Sequence, residues 1–531
     1  MIRQRLPALA ARRAATISLN CGVARRSITA PNHDQQPVPV QPAAIPIPNT
    51  ATALPTRPFL DFKRVSANAD AVQQNIADRN LPDVSAHKVA ELYKLWGKAK
   101  FDLQNVRHRQ NALAAENKAV RKQADAESRI EALRKEGAAL KQSSKALAVE
   151  VAELEAALYA EAVHVPNDTH PGVPVGPEDC AVEIARLGPN LDDLPLRKLD
   201  PSAKPLDHVA LATHLDLIDL PAGAKVAGSS FYFLKRAAAL LELALTQLAV
   251  RTAVQHGFVP VSPPDIVRRS VSAACGFQPR DPRQTQNYTV LHHLVAPPVT
   301  SETNGPLTPD PNDLVLAATA EVPLAGMYAG ATIPRAALPL KMVAFGHAFR
   351  AESGARGADT RGLYRVHQFS KVELFALAAD AEQADAVYDV LAAVQRDMIR
   401  QLGLAVRVLQ MPTQELGASA RRKIDMEAWM PGRGGWGEVS SMSDCGDYQA
   451  RRLGIRVTKA VGEGDDVPTP FAHTLNGTAA AVPRLIVAIL EQNQLPDGSV
   501  VVPEVLRPWV GTDVIRCPFD EPAARAGRES S

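Results

Sequence analysis

Residues 341–375 read KMVAFGHAFRAESGARGADTRGLYRVHQFSKVELF, and the rest of the chain is organised around them. Two runs rich in β-branched and aromatic residues flank a polar loop, 353–363, that carries Gly354, Gly357 and Gly362. That is the pattern of two strands joined by a turn. Side chains alternate across a strand. Arg350 and Glu352 therefore share a face of the first run, with Phe345, His347 and Phe349 opposite. On the second run Arg365, His367, Phe369, Lys371 and Glu373 form one row, while Val366, Val372 and Leu374 point away. Alternation alone equally fits the wet face of any antiparallel sheet. The residue types say more. Arginine suits bidentate phosphate binding, glutamate suits an ammonium or a hydrated magnesium ion, and a planar ring stacks on a base. That inventory fits a nucleotide beside an amino acid.

The chain has 531 residues, too many for one ordinary domain, so two or three are expected. With 46% hydrophobic and 22% charged residues it can bury large cores. No uninterrupted apolar run reaches about 18 residues, so no membrane span is expected. The formal net charge of +2 is unevenly placed. Residues 1–33 hold Arg3, Arg5, Arg12, Arg13, Arg25 and Arg26 and no Asp or Glu, the composition of a mitochondrial transit peptide or of a disordered basic tail. Without these six arginines the net charge falls from +2 to −4, so any contact with a polyanion must come from a local basic patch. Prolines recur through 34–58, which reads as a linker. The five cysteines (Cys21, Cys180, Cys275, Cys445 and Cys517) are scattered singly, a spacing that supports neither a zinc cluster nor a disulfide framework.

From 85 to 163 the pattern is helical. Val89, Leu92, Trp96, Ala99, Leu103, Val106, Gln110 and Leu113 are spaced three and four. Leu133, Leu140, Leu147 and Leu154 recur every seven, with Ile130, Val151 and Leu158 in the companion row. The polar stretch 116–127 can hold a reversal, predicting an antiparallel coiled coil. Residues 85–145 carry 14 Lys or Arg against 7 Asp or Glu. Such a rod is either solvated surface or an RNA contact. Three prolines in 165–176 then break the helix. Residues 206–235 alternate short apolar runs with turn residues, predicting strands before a leucine-faced helix over 235–255. The proline-rich segment 291–313 reads as a surface insertion, and His292 and His293 within it lack a partner at ligand spacing. Residues 381–404 form an amphipathic helix for the outside of a sheet. Gly434, Gly435 and Gly437 allow close backbone approach just before Glu438-Val439-Ser440-Ser441. From Val482 an apolar helix begins, with Pro483 near its first turn. Arg484 beside that N-terminus opposes the helix dipole, so an anion shared with the helix end explains it better.

The text FRAESG (349–354) with DTRGLYRVHQFSKVELF (359–375) resembles motif 2 of the seryl-tRNA synthetases, class II aminoacyl-tRNA synthetases, and resembles the mitochondrial branch most. The similarity runs from about residue 57 to about 510. It implies an α+β fold: an N-terminal antiparallel helical coiled-coil arm plus a class II synthetase catalytic domain, an antiparallel β-sheet flanked by helices. The implied organisation is a transit peptide (1–33), a linker (34–58), a tRNA-binding domain with the arm (59–165), the catalytic domain (166–515) and a disordered tail (516–531).

The resemblance further implies a serine–tRNA ligase that makes seryl-adenylate from L-serine and ATP and transfers the seryl group to tRNA(Ser) in the mitochondrial matrix. The arm would grip the tRNA, and 235–264, like motif 1, would build a homodimer interface. Residues expected at ATP are Arg350, Ala351, Glu352, Val366, Phe369, Glu438, Val439, Ser440, Ser441 and Arg484. Within that set Arg350 meets the α-phosphate, Arg484 the γ-phosphate, Phe369 the adenine, and Glu438 and Ser441 the Mg2+ that accompanies ATP. Thr319, Ala320, Glu321, Arg350, Glu373 and Thr478 would line the serine pocket. Thr319-Ala320-Glu321 taken alone could equally open a helix. Asn476-Gly477-Thr478 and Pro483 stand where many relatives have N-G-S and a glycine, which keeps the hydroxyl. No zinc is expected. Two rivals remain at this level, an inactive paralogue and a ligase that charges a carrier protein. The intact Arg350, Glu352, Glu373, Glu438 and Arg484 speak against the first, and the basic arm against the second.

Overall fold

The helical periodicity of 85–163 becomes two long antiparallel helices. The structure, a computed structural model, describes residues 57–121, 127–277, 287–290, 312–352, 362–460, 462, 464 and 466–519. The segments expected to be a transit peptide (1–33), most of the expected linker and of the expected tail, nearly all of the expected insertion with His292 and His293, and Gly354 and Gly357 lie outside the described residues.

The N-terminal region contains helices α1 (Phe62–Ala67), α2 (Ala69–Asp78), α3 (Ala86–Val120) and α4 (Glu127–Ala162). Ser85 starts α3 by accepting a hydrogen bond from the Lys88 amide, as an N-cap does. At 1.5 Å per residue its 35 residues span about 50 Å. Lys88 pairs with Glu161 near the root, and Arg109 with Glu136 at 2.7 Å farther out. Leu113, Val120 and Leu133 are buried between the helices, whereas the heptad leucines Leu140, Leu147 and Leu154 are only half-buried. Two helices alone cannot enclose a seam. At the root Val89, Leu158 and Ala162 join Leu60, Val65, Val72 and Ile76 in a core of their own.

The C-terminal region is built on one sheet. Its strands are β1 (Val182–Leu187), β2 (Val259–Val261), β3 (Leu340–Phe349), β4 (Gln368–Ala378), β5 (Val406–Gln410), β6 (Arg422–Met430), β7 (Gly435–Asp444) and β8 (His473–Ala481). They lie in the order β1-β5-β6-β7-β8-β4-β3-β2, antiparallel except for the β2–β3 edge. One face is covered by α5 (Arg236–Gln255), α7 (Ala381–Leu402) and α9 (Val482–Gln492), whose apolar residues share a core with Val343, Val372 and Leu374. The shorter α6 (Glu321–Gly326) and α8 (Tyr448–Leu453) lie on the other face with Met342, Ala344 and Phe375. By length and composition α5 could cross a membrane. Here it buries Leu241, Leu245 and Leu248 against the sheet.

Two readings need correction. Residues 206–235 hold two short helices, His208–His214 and Leu220–Ala227, around a two-residue β-ribbon. Asp207 and Asp219 cap those helices by accepting from the amides of Ala210 and Ala222, so the polar residues taken for turns are helix starts. The central hairpin is also shorter than alternation suggested. Arg350 and Glu352 lie past the end of β3, and Arg365 to His367 precede β4. Glu352 has left the strand altogether, with φ of 45°.

Candidate active site

The floor of the site is the α6 face of β4. Phe369, Lys371 and Glu373 rise from it, and their cross-strand partners on β3 are Ala348, Gly346 and Ala344. Small partners let the segment that carries Thr319 pack over β3: a Cβ at Gly346 would meet Asp265 Oδ1 at 2.9 Å and Ala320 Cβ at 3.8 Å. Lys371 Nζ lies 2.5 Å from Glu373 Oε2 and donates to Thr319 Oγ1 at 3.1 Å. Glu373 is fully enclosed; burial raises its pKa above the usual carboxylate value, against the pull of Lys371 and the Thr319 hydroxyl.

Two β-bulges complete the floor. In the β6–β7 pair the register slips between Met426 and Glu427, so Met426 faces Ser440 while Glu427 faces Glu438. The extra residue turns Val439 and Ser440 toward the helix layer: Val439 joins the α5-side core, and Ser440 Oγ donates to Thr478 O at 2.6 Å. Glu438 and Ser441, three apart, thereby reach the same side of the sheet, which regular alternation forbids. In the β4–β8 pair the slip falls between Val372 and Glu373 and sets Thr478 opposite Glu373. Neither bulge carries a sequence mark that alternation would detect.

Glu321 opens α6, so the triplet 319–321 is both a helix start and part of the site. Its Oε1 accepts from Gln449 Nε2 at 2.5 Å and from Asn476 Nδ2 at 2.9 Å. Burial, and then the charge of Glu373, push its pKa up to about 7. Ala320 is buried in the second core beside it.

At the guanidinium-rich end, Arg350 leaves β3 with its amide bonded to His367 O and its guanidinium 5.3 Å from the Phe369 ring centroid. Arg484, in the first turn of α9, donates from Nη1 to Glu438 O (3.0 Å) and lies 3.2 Å from Glu438 Oε2. Its guanidinium also covers the Tyr364 ring at 4.6 Å. Burial alone would raise the Glu438 pKa, but Arg484, Lys423 and Arg350 hold it well below the usual range. Val366, assigned by alternation to the far face, lines this slot with Glu352 and Arg365. His367 does not join the floor. Its Nδ1 lies 2.9 Å from Arg350 O and its ring packs 5.4 Å from Phe231.

The slot continues into a cavity of about 660 Å³ that reaches Thr319, Glu321, Lys371, Glu373 and Asn476. Arg350, Glu352, Glu438 and Ser441 line both spaces. Val439, Ser440 and Thr478 are among the lining of the slot. The arrangement juxtaposes an anion-binding end, rich in guanidinium, and a cation-binding end with two carboxylates. Lys371, Gln449 and Asn476 were not among the expected site residues. Alternation on β4 pointed to Lys371; Gln449 comes from α8 and has no local signal. Among the described residues no group of three or more His, Cys, Asp or Glu could hold a metal ion.

Fold and site together define a class II aminoacyl-tRNA synthetase, and residues 305–493 match the tRNA synthetase class II core domain (G, H, P, S and T). Residues 59–169 match the seryl-tRNA synthetase N-terminal domain. The serine–tRNA ligase of Rhodopirellula baltica is 40% identical over 462 residues, covering 86% of this chain and 100% of that protein. The mitochondrial serine–tRNA ligase of Schizosaccharomyces pombe is 38% identical over 453 residues, covering 85% of this chain and 88% of that protein. The structure of Pyrococcus horikoshii seryl-tRNA synthetase complexed with ATP superposes with a TM-score of 0.73 at 33% identity, over 86% of this chain and 99% of that one. The chain belongs to the seryl-tRNA synthetase family and is a serine–tRNA ligase.

Proposed function

We propose that the enzyme binds ATP in the slot over Phe369 and L-serine against Glu321 and Glu373, forms seryl-adenylate, and passes the seryl group to a mitochondrial tRNA(Ser). One observation carries the reading: the two bulged strand pairs put the arginine-lined slot and the buried carboxylates into one continuous space. The serine carboxylate itself attacks the α-phosphorus and pyrophosphate leaves, so no protein nucleophile is needed. The chain supplies alignment and charge. Arg350 neutralises the α-phosphate, and Arg484 the γ-phosphate once it exchanges Glu438 for it. Phe369 exchanges the Arg350 guanidinium for the adenine face. Glu321 takes the serine ammonium, and Thr319, Glu373 and Thr478 surround the hydroxyl. A site that hydrogen-bonds that hydroxyl leaves its own groups unpaired with alanine, which can discriminate by about 10⁴.

Glu438 and Ser441 offer oxygens on one face and suit Mg2+, which takes few protein ligands and completes its shell with water and phosphate. Bound there with ATP, the ion would neutralise phosphate charge.

The arm, with its excess of basic residues, fits the tRNA as partner. Exposed Leu240 and Leu243, one turn apart on α5, fit a homodimer interface. The arginine-rich, acid-free residues 1–33 and the mitochondrial relatives support a matrix address. The division into 59–165 and 166–515 belongs to the same proposal; the end of α4 at Ala162, three residues before the first boundary, supports it. Serine-dependent ATP–pyrophosphate exchange, followed by seryl transfer to mitochondrial tRNA, tests the proposal; exchange driven by another amino acid would refute it.

A further inference from the structure

The root of the arm is tied to the active cavity by one loop, residues 413–421. Five consecutive carbonyls of this loop accept hydrogen bonds from residues that precede the sheet. Arg79 Nη1 and Nη2 donate to Gly417 O (3.1 Å) and Ala420 O (2.7 Å). Asn167 donates from its amide to Ala418 O (2.9 Å) and from Nδ2 to Ser419 O (2.9 Å), and the His170 amide donates to Arg421 O (2.9 Å). Arg79 directly follows α2 and is 1% exposed. Leu416 to Ala420 wall the cavity, and Arg79 itself reaches its lining.

From there two chains of contact converge on Glu321. Ser419 abuts Gly276, where an added Cβ would lie 3.1 Å from the serine Cβ. The adjoining Cys275 carbonyl accepts from Gln449 Nε2 at 3.1 Å, the same nitrogen that donates to Glu321 Oε1. Independently, Asn167 Nδ2 donates to Cys445 O at 2.7 Å, and the Cys445 sulfur lies 3.5 Å from Asn476 Nδ2, the second donor to Glu321. A buried guanidinium is a costly way merely to join two domains, since apolar contact does so without desolvating a charge. What it adds is a rigid fork that fixes two carbonyls at once.

We propose that Arg79 and Asn167 are positioning residues for amino-acid binding: they set loop 413–421 and, through Gln449 and Asn476, the carboxylate of Glu321. The inference rests on Glu321 as the partner of the serine ammonium. Serine binding, and not ATP binding, then depends on how the arm root is seated.

The test uses the full chain carrying Arg79→Gln, Arg79→Lys, Asn167→Ala or Glu321→Gln. Steady-state pyrophosphate exchange gives the KM for serine and for ATP separately, beside a melting curve for each variant. Arg79→Gln should raise the serine KM about tenfold with the ATP KM unchanged, because a small misplacement of a binding group is felt at the ligand. Asn167→Ala should move the serine KM in the same direction. Arg79→Lys should recover only part of the loss, since an ammonium cannot span both carbonyls. If Glu321→Gln raises the serine KM while the Arg79→Gln and Asn167→Ala variants change only the melting temperature, or change both KM values equally, the inference is overturned and the assignment of Glu321 stands. If Glu321→Gln leaves the serine KM unaltered, the assignment itself falls and takes the inference with it. Should Arg79→Gln fail to fold, Asn167→Ala decides alone.

Discussion

Lowering the pH should weaken serine binding through Glu321. The residue is 5% exposed, and burial followed by the nearby charge of Glu373 brings its pKa to about 7. Only the ionised form attracts the ammonium of serine. At pH 8 about ten elevenths of the enzyme carries that form, and at pH 6 about one eleventh; apparent affinity scales with the competent fraction, so it should fall about tenfold between them. The measurement is kcat/KM for serine in pyrophosphate exchange at saturating ATP, which reports ionisations of the enzyme not yet holding serine. Glu321→Gln should flatten the profile and cost about 10- to 100-fold in kcat/KM, the value of a hydrogen bond to a charged group.

The stability consequence has the opposite sign to activity. The folded pKa lies above the ordinary 4.5, so the folded state binds more protons than the unfolded one between pH 4.5 and about 7. Stability from this group is therefore lost as pH rises through that window, by about 3 kcal/mol in full. Glu321→Gln should consequently melt no lower than the parent at pH 8 while losing activity. A flat profile in the parent enzyme, or the same inflection surviving in Glu321→Gln, would refute the reasoning and move the titration to another group.

Other outcomes follow from the same geometry. Arg350→Ala should reduce pyrophosphate exchange by about 10² to 10³, as loss of a charge-stabilising donor does, with an unchanged circular dichroism spectrum. Phe369→Ala should raise the KM for ATP about tenfold, because base stacking on an aromatic ring contributes about 1–3 kcal/mol, and should leave the serine KM alone. Lys371→Met should destabilise the fold by about 3–5 kcal/mol in urea titrations, since it strands the buried Glu373 without its cation. Ser440→Ala should lower stability by only about 0.5–1.5 kcal/mol, the net value of a buried hydrogen bond, because Gln395 Nε2 still donates to the Thr478 carbonyl, and should leave both KM values in place, because its hydroxyl faces the helices.

Much was legible from the sequence because it is local. Three-and-four and seven-residue spacing placed the arm helices, amphipathic patterning placed α7, two strand-like runs around a glycine-bearing loop placed the central hairpin, and Pro483 with Arg484 marked the start of α9. Alternation placed Phe369, Lys371 and Glu373 together, since those three lie within one unbroken strand. It failed at His367 and Val366, which precede that strand, whereas Glu352 lines the same spaces as Arg350 although its backbone has already turned.

Sequence by itself determined which residue types were available and which strand or helix each would ride on, for backbone periodicity is a property of neighbours along the chain. Tertiary structure alone decided which of them meet. The bulges at Val439 and Ala479 bring Glu438 beside Ser441 and Thr478 beside Glu373, because register is settled between strands. Gln449, Asn476 and Arg79 come to the Glu321 end of the cavity from separate parts of the chain, because buried carboxylates and carbonyls are held by hydrogen-bond donors wherever along the chain those lie.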